Sequence, residues 1–368
     1  MAGSYNHGKD PGRDVLRHLN GKAEENHLIR VGLIGCGYWG PNLVRTLHEI
    51  DGVKLARVAD LRPGRREFIS QRYPDLPTTA EYHELLHDPA IDAVVIATPP
   101  DTHFRLAMEA LEQGKHLLVE KPLAMKFREA DELVRFAGER NRVLMVGHLF
   151  LYAPAVVKLN SLIAQGELGD LYCISSVRAN PGPPNTNVDA LWDLAPHDFS
   201  IILHLFREAP IEVAAHAASF SDRRHAEVVF VFLRFGSGRA AHVHVSWLTP
   251  NKTRRMDLLA SRRVAGYDDT QPVHKLMIFD AAEDNRRNAA AQDNQALGYG
   301  PGNVWIPALQ NYEPLRAECE DFVNCIRSGG TPVSDGRKGA EVVRVLEKAS
   351  QAIALSEPKP ELTGQVSL

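Results

Sequence analysis

From Leu28 onward, short runs of almost unbroken apolar residues (LIRVGLI, VKLARVA, AVVIA, HLLV, RVLMVG) alternate with longer segments in which apolar positions recur every three or four residues. The second kind includes PNLVRTLHEI, RREFISQRY, EYHELLH, HFRLAMEALEQG and FREADELVRFAGER, with one further short strand near Thr78. Strands apolar throughout and separated by amphipathic helices predict a parallel sheet covered on both faces. In the first helix Leu43, Val44, Leu47 and Ile50 share one face, and Pro41 stands in the first turn, where it is harmless.

Beyond Gly147 the pattern changes. Two helix-like segments precede a series of alternating strands, DLYCISSVRA, IEVAAHAASF, AEVVFVFLRF, RAAHVHVSWL and RMDLLASRR, with the turn GSG at 236–238. This alternation predicts a largely antiparallel sheet with one face covered. The polar, turn-rich stretch 281–302 reads as a mobile loop. YEPLRAECEDFVNCIRSG and DGRKGAEVVRVLEKASQAIAL read as closing helices, the second capped by Asp335. The expected organisation is a polar N-terminal extension at 1–27, a first domain at 28–148, a second at 149–355 whose last helices can pack back on the first, and a tail at 356–368.

Composition narrows the function classes. The chain has 368 residues, 44% hydrophobic and 24% charged, enough for two domains with proper cores. Lys plus Arg is 42 against Asp plus Glu at 46, a net charge of -4 without the basic excess that nucleic acid requires. No apolar run approaches the ~20 residues that cross a bilayer, and the polar N-terminus lacks a secretory signal, so a cytoplasmic protein is expected. Cys36, Cys173, Cys319 and Cys325 are scattered without a CxxC pair, which predicts reduced thiols and no metal site.

The chemistry begins at VGLIGCGYWGPN. Gly35, Gly37 and Gly40, with Tyr38 and Trp39 between the last two, fit GxGxxG between a predicted strand and a predicted helix. There the glycines allow a tight turn and close approach of backbone to a pyrophosphate at the positive helix end. Asp60 closes the second strand 20 residues after Gly40, where a carboxylate accepts hydrogen bonds from adenosine ribose hydroxyls. The predicted cofactor is therefore a dinucleotide on a Rossmann sheet. Asp60 favours NAD; Arg62, Arg65 and Arg66 leave NADP open, since they can bind a 2′-phosphate. Ligands in such sheets lie beyond the carboxyl ends of the strands, so Thr98, Pro99 and Pro100 after AVVIA, and Glu120, Lys121 and Pro122 after HLLV, should face one crevice.

The pieces GCGYWGPN, ATPPDTH, EKP, GHLFLYAP and DLAPHD together resemble the Gfo/Idh/MocA family of sugar and polyol oxidoreductases, over about residues 29–355. The resemblance implies a C-terminal α+β domain with an open, mainly antiparallel sheet whose exposed face serves oligomerisation, hence a homodimer or homotetramer. It implies that Lys121 contacts nicotinamide ribose and substrate, that His197 supplies an acid–base group supported by Asp193, and that His103 lies near the nicotinamide. Two departures stand out: Ile201, where many members have an aspartate, and Leu149, Phe150 and Leu151, where many have Asn-Arg-Arg. They argue against a polyol-dehydrogenase or glucose–fructose-type site. GYWGPN, GHLFLYAP and WDLAPHDFS are most similar to the branch of sugar-nucleotide 3-dehydrogenases, which implies oxidation at carbon three of a UDP-N-acetylglucosamine-like substrate.

Residue by residue, oxidising a secondary alcohol requires a hydride to leave and a proton acceptor with a pKa near working pH, which suits His197. Asp193 and His197 are four apart and share one helix face, where the carboxylate would orient the ring, although Pro196 disfavours helix at Ala195. Lys121 can hydrogen-bond the substrate oxygen. Asp101 and Thr102 also fit a helix N-cap, and Glu120 either bonds ribose or pairs with a lysine. Tyr152, Arg178 and Asn180, with the stretch PGPPNTNVDALW, are candidates for substrate contact; Arg178 could clamp a diphosphate or make a surface salt bridge. His242 and His244 share a strand face without a third metal ligand, so they belong to a sheet face or interface. The remaining alternatives are an NADPH-dependent 3-ketoreductase of dTDP-deoxysugars, an inositol or polyol dehydrogenase, and a cofactor-sensing regulator without turnover.

Overall fold

The apolar runs of the first half form a single parallel sheet in the computed structural model, which describes residues 28–181, 188–220, 225–280 and 302–356. Its strands are β1 (Ile29–Ile34), β2 (Val53–Ala59), β3 (Thr78–Thr79), β4 (Ala93–Ile96), β5 (His116–Glu120) and β6 (Leu144–Gly147), in the order β3-β2-β1-β4-β5-β6. Every pair in it is parallel. Helices α1 (Gly40–Glu49), α2 (Pro63–Arg72), α3 (His83–Leu86), α4 (His103–Glu112) and α5 (Phe127–Glu139) connect the strands. Covering both faces is why β4 carries no polar residue: Ala93, Val94, Val95 and Ile96 are all fully buried. The strand order reverses between β1 and β4, and a crevice opens at their carboxyl ends, where such sheets bind ligands. EYHELLH makes only one helical turn, His83–Leu86.

After α6 (Pro154–Ala164) comes an eight-stranded sheet with α7 (Ala190–Phe206) on its inner face. Its strands are β7 (Leu171–Pro181), β8 (Pro210–Ala218), β9 (Val228–Phe235), β10 (Ala240–Ser246), β11 (Leu248–Ala260), β12 (Arg263–Asp268), β13 (Leu276–Asp280) and β14 (Val304–Trp305). They lie in the order β14-β13-β12-β11-β7-β10-β9-β8, antiparallel except where β10 joins β7. In β9 the alternation is plain: Val229, Val231, Leu233 and Phe235 are buried, while Phe230 and Phe232 point outward, 44% and 54% exposed. The RMDLLASRR segment, expected as one strand, contains the end of β11 and the start of β12, divided by a turn at Ser261 and Arg262.

Helix α7 runs unbroken through Pro196. The missing proline N–H costs one backbone bond, but dense burial of Leu191, Ala195, Phe199, Ile201 and Ile202 holds the helix together. Asp189 caps its start, accepting from the Trp192 N–H at 2.9 Å.

The closing helices α8 (Pro314–Ser328) and α9 (Gly336–Ser356) do pack back on the first sheet. The Val146 N–H donates to the Ser334 carbonyl at 2.9 Å, Met145 bridges to Asp335, Arg45 pairs with Glu313, and Arg327 donates to the Gly52 carbonyl at 2.8 Å. Asp335 caps α9 as expected, accepting from the Lys338 N–H at 2.9 Å. The expectations for 1–27, for nearly all of 281–302, for the tail and for the middle of PGPPNTNVDALW lie outside the described residues. No helix among the described residues is long and apolar enough to cross a membrane.

Candidate active site

The turn after β1 requires its glycines. Gly35 has φ of +93°, and a Cβ there would lie 2.6 Å from the Ala97 carbonyl oxygen; a Cβ on Gly40 would lie 2.9 Å from the Gly35 oxygen. A Cβ on Gly37 would meet only Arg62, at 3.7 Å, so this backbone borders open space. No side chain caps α1, so the positive end of the helix faces the glycine turn, where a phosphate would sit. A cavity of about 600 Å³ begins here, lined by Gly35, Gly37, Tyr38, Asp60, Arg62 and Thr98 among others. Its size and its glycine cradle fit a dinucleotide's adenosine half.

Asp60 is already fully engaged. Its two oxygens accept from the Cys36 N–H (2.7 Å), the Arg62 N–H (2.9 Å), Arg62 Nε (3.0 Å) and Arg62 Nη2 (2.9 Å). Burial alone would raise its pKa, but these bonds outweigh burial and hold it below the ordinary carboxylate value. The Arg62 side chain is 58% exposed. A ribose hydroxyl reaching Asp60 therefore has to displace a mobile guanidinium from a fixed carboxylate. Asp60 and Arg62, read in sequence as favouring rival cofactors, form a single unit.

At the other end of the crevice, Lys121 follows β5. Its Nζ donates to the Asp193 carbonyl oxygen at 2.7 Å and lies 3.7 Å from the Asp193 carboxylate. That carboxylate also accepts from Trp247 Nε1 at 3.1 Å. Burial pulls the Lys121 pKa below its ordinary value, and Asp193 and Glu120 offset part of that. Asp193 thus serves Lys121 and Trp247, which corrects the expectation that it orients His197. The His197 ring instead meets the edge of Phe150, centroids 5.0 Å apart, and its Nδ1, sealed from solvent, finds no hydrogen-bond partner among the described residues. Burial, reinforced by the positive charges of Lys121, Arg178 and Arg254, keeps its pKa well below ordinary, so the imidazole is neutral.

Glu120 receives a bond from the Lys121 N–H at 3.3 Å. Loss of solvent pushes its pKa up to about 7 against the opposing pull of Lys121. Behind it stands Glu318, 1% exposed, held well above the usual carboxylate range by burial and by the charges of Glu120 and Asp321.

Several sequence expectations are corrected by packing. Tyr152 is taken up by the protein itself: buried, it donates to Asp321 Oδ2 at 2.7 Å, tying the segment after β6 to α8. His103 is fully buried, its ring nitrogens 2.7 Å and 2.9 Å from the Pro122 and Thr98 carbonyl oxygens, so it braces two crevice loops instead of lining the crevice. Thr102 Oγ1 donates to the Pro99 carbonyl at 2.7 Å and does not cap α4. Arg178 is a buried partner of Asp198 at 2.6 Å, neither a free phosphate clamp nor a surface pair. Asn180 borders this region with its Oδ1 buried and unpartnered among the described residues.

Sequence reasoning did not single out Trp247, Arg254 or Glu318, and named Phe150 only as a departure from the family pattern. Phe150 is central: the guanidinium carbons of Arg178 and Arg254 lie 4.5 and 5.6 Å from its ring centre, stacked on the residue whose edge meets His197. His242 and His244 lie on the outer sheet face, as their spacing predicted; His244 stacks on Phe230 at 4.3 Å and His242 lies tilted against Phe232 at 6.0 Å.

Comparison with known proteins agrees with this geometry. Residues 29–148 match the model described as an oxidoreductase family with an NAD-binding Rossmann fold, and residues 156–264 match the GFO/IDH/MocA C-terminal domain. The chain is 28% identical to the UDP-N-acetylglucosamine 3-dehydrogenase of Acidithiobacillus ferrooxidans over 86% of this chain and 94% of that one. The solved structure of that enzyme superposes with a TM-score of 0.77 at 26% identity, covering 89% and 98% of the two chains. The scyllo-inositol 2-dehydrogenase (NAD(+)) of Bacillus subtilis is also 28% identical, over 83% of this chain and 89% of its own. A levoglucosan dehydrogenase in complex with NADH and levoglucosan shares the fold at 21% identity and a TM-score of 0.76, covering 89% and 98%. The glycine cradle, the carboxyl-end crevice and both matched segments make this chain a member of the Gfo/Idh/MocA family, an NAD(P)-dependent oxidoreductase acting on CH–OH groups.

Proposed function

We propose that this enzyme oxidises the hydroxyl at carbon three of a UDP-N-acetylglucosamine-like sugar nucleotide, with Lys121 and His197 handling the hydroxyl proton. The observation that carries the reading is the juxtaposition, at the carboxyl-end crevice, of a lysine fixed to Asp193 with an imidazole held neutral. Bound NAD supplies the hydride acceptor. The hydroxyl proton goes to the uncharged His197 ring, whose lone pair is open to accept it while burial and neighbouring cations make it a weaker base than a free imidazole. Lys121, held by the Asp193 carbonyl, donates to the substrate oxygen and stabilises the charge that develops there. Asp193 and Trp247 position Lys121.

The sugar-nucleotide assignment draws on the relative from A. ferrooxidans and on Arg254. The Arg254 guanidinium, beside Phe150, is 28% exposed and among the described residues pairs with the partly buried Asp269, at 3.3 Å. It is therefore better placed than Arg178 to receive a diphosphate. The net charge of -4 means that such a local group, not the overall field, captures an anion. A second reading, an inositol dehydrogenase, is favoured by the equal identity to the scyllo-inositol enzyme. NADP is admitted as an alternative cofactor through Arg62, and a cytoplasmic location is part of this proposal.

The domain boundary is proposed at 148/149. Subunits are proposed to pair through the outer face of the large sheet, where Phe230, Phe232 and Tyr172 are 44%, 54% and 39% exposed. Phe232→Glu should then sediment as a smaller species than the wild type; unchanged sedimentation removes this face from the assembly.

The deciding assay incubates the protein with NAD or NADP and a panel of UDP-sugars, dTDP-sugars and scyllo-inositol, following reduced-nicotinamide absorbance. Oxidation of UDP-N-acetylglucosamine is expected. Turnover confined to scyllo-inositol establishes the polyol reading, dTDP-ketosugar reduction with NADPH the ketoreductase reading, and cofactor binding without turnover a sensor.

A further inference from the structure

His148 ends the first sheet. Gly147 of β6 pairs with Glu120 of β5 in parallel register, so the two residues that follow them, His148 and Lys121, leave the sheet side by side at the carboxyl ends of neighbouring strands. Strands in this arrangement are ~4.8 Å apart. The His148 ring is enclosed, the residue being 1% exposed, yet neither Nδ1 nor Nε2 meets a hydrogen-bond partner among the described residues.

That combination is unusual. A neutral imidazole carries one N–H donor and one lone-pair acceptor, and burying both unpaired is unfavourable. The other buried histidine of the crevice wall, His103, has a backbone carbonyl oxygen against each ring nitrogen, so its single N–H finds a protein partner in either tautomer. The contrast separates a histidine that braces the fold from one whose hydrogen-bonding capacity has no structural use. Burial and the charges of Lys121 and Lys338 push the His148 pKa down to about 3, so it offers a neutral donor and acceptor, not a cation. Its charge, when present, is felt by His197, which places it within the same group as the proposed reacting pair.

We propose that His148 is a substrate-contacting residue, binding through its imidazole the hydroxyl on the carbon next to the one that Lys121 and His197 deprotonate. Sugars and cyclitols present such vicinal hydroxyls, each both donor and acceptor, which is the complement of a neutral imidazole. No proton transfer is assigned to it; its task is to fix which hydroxyl faces Lys121. This inference rests on the site assignment of the preceding subsection.

The test compares wild type, His148→Leu and His148→Gln with UDP-N-acetylglucosamine and with scyllo-inositol. Leucine removes both polar atoms and fills much of the space, so the variant should melt no lower than wild type, while kcat/KM falls about 50-fold through loss of one well-placed hydrogen bond. The affinity for NAD, measured by fluorescence, should stay within about threefold of wild type, because the contact is with substrate alone. Glutamine restores a donor and an acceptor and should recover most of the activity, which also covers the case in which the leucine variant fails to fold. A leucine variant as active as wild type, or a glutamine variant no better than leucine, overturns the proposal for His148. A wild type active on neither compound overturns it together with the reading on which it rests, and the two failures are thereby distinguished.

Discussion

The two ends of the crevice treat buried polarity in opposite ways. At the adenosine end, Asp60 is 7% exposed and has four hydrogen bonds from Cys36 and Arg62. At the Lys121 end, His148, His197, Asn180 and Arg254 each contain a buried polar atom without a partner among the described residues. The first end is complete as folded and yields to the cofactor only by moving an exposed arginine. The second holds its side chains in a costly arrangement that substrate hydroxyls can complete. Stability is therefore invested at one end and withheld at the other, as expected where a site must favour its ligand over itself.

This contrast can be broken experimentally. The largest effect is expected at the Lys121 end: Lys121→Met or His197→Ala should lower kcat/KM about 1000-fold or more, the range in which positioned proton-transfer groups act. The His197→Ala variant should bind NAD normally, and both variants should melt near the wild-type temperature. Near-normal turnover by either one removes that residue from the mechanism. Asp60→Ala should do the reverse. It strips a buried partner from the Cys36 N–H and the Arg62 side chain, so a loss of about 1 to 3 kcal/mol in stability is expected, with weaker NAD binding. An Asp60→Ala protein as stable as wild type would deny that this end is structurally complete.

The smallest effect concerns pH. The His148 pKa is depressed from its ordinary 6.5 to about 3. The unfolded chain therefore binds a proton between these values when the folded one does not. The associated stability is fully present above pH 6.5 and is lost as pH falls toward 3. His148→Leu should flatten the acid limb of a stability-versus-pH curve from chemical denaturation, and an unchanged slope would mean that the ring is not buried as described.

Much of the adenosine end was legible along the chain, because its parts are close in sequence and each answers a local requirement. Gly35 and Gly40 are demanded by the turn, and Asp60 ends the next strand. Lys121 was visible for the same reason, standing at a strand's carboxyl end beside the crevice. The Lys121 end was harder to read. Asp193 was assigned to His197 because they are four apart on one helix, but the lysine lies 72 residues away in sequence and takes the contact. Tyr152 looked like a substrate ligand until α8, brought back from 169 residues further along, supplied Asp321. Arg178 had two plausible fates in a strand pattern, and burial against Asp198 chose a third.

By itself, then, the sequence determined the order of strands and helices, the glycine turn, the carboxyl-end crevice and the identity of the residues that face it locally. These follow from period, backbone sterics and the geometry of a parallel sheet, all set by neighbours in the chain. Tertiary structure decided which polar groups are satisfied and which are left open. Satisfaction is a property of three segments meeting at once: strand ends β5 and β6, helix α7, and the returning helices α8 and α9. A hydrogen-bond partner that arrives from beyond a domain leaves no periodic trace in the segment that needs it.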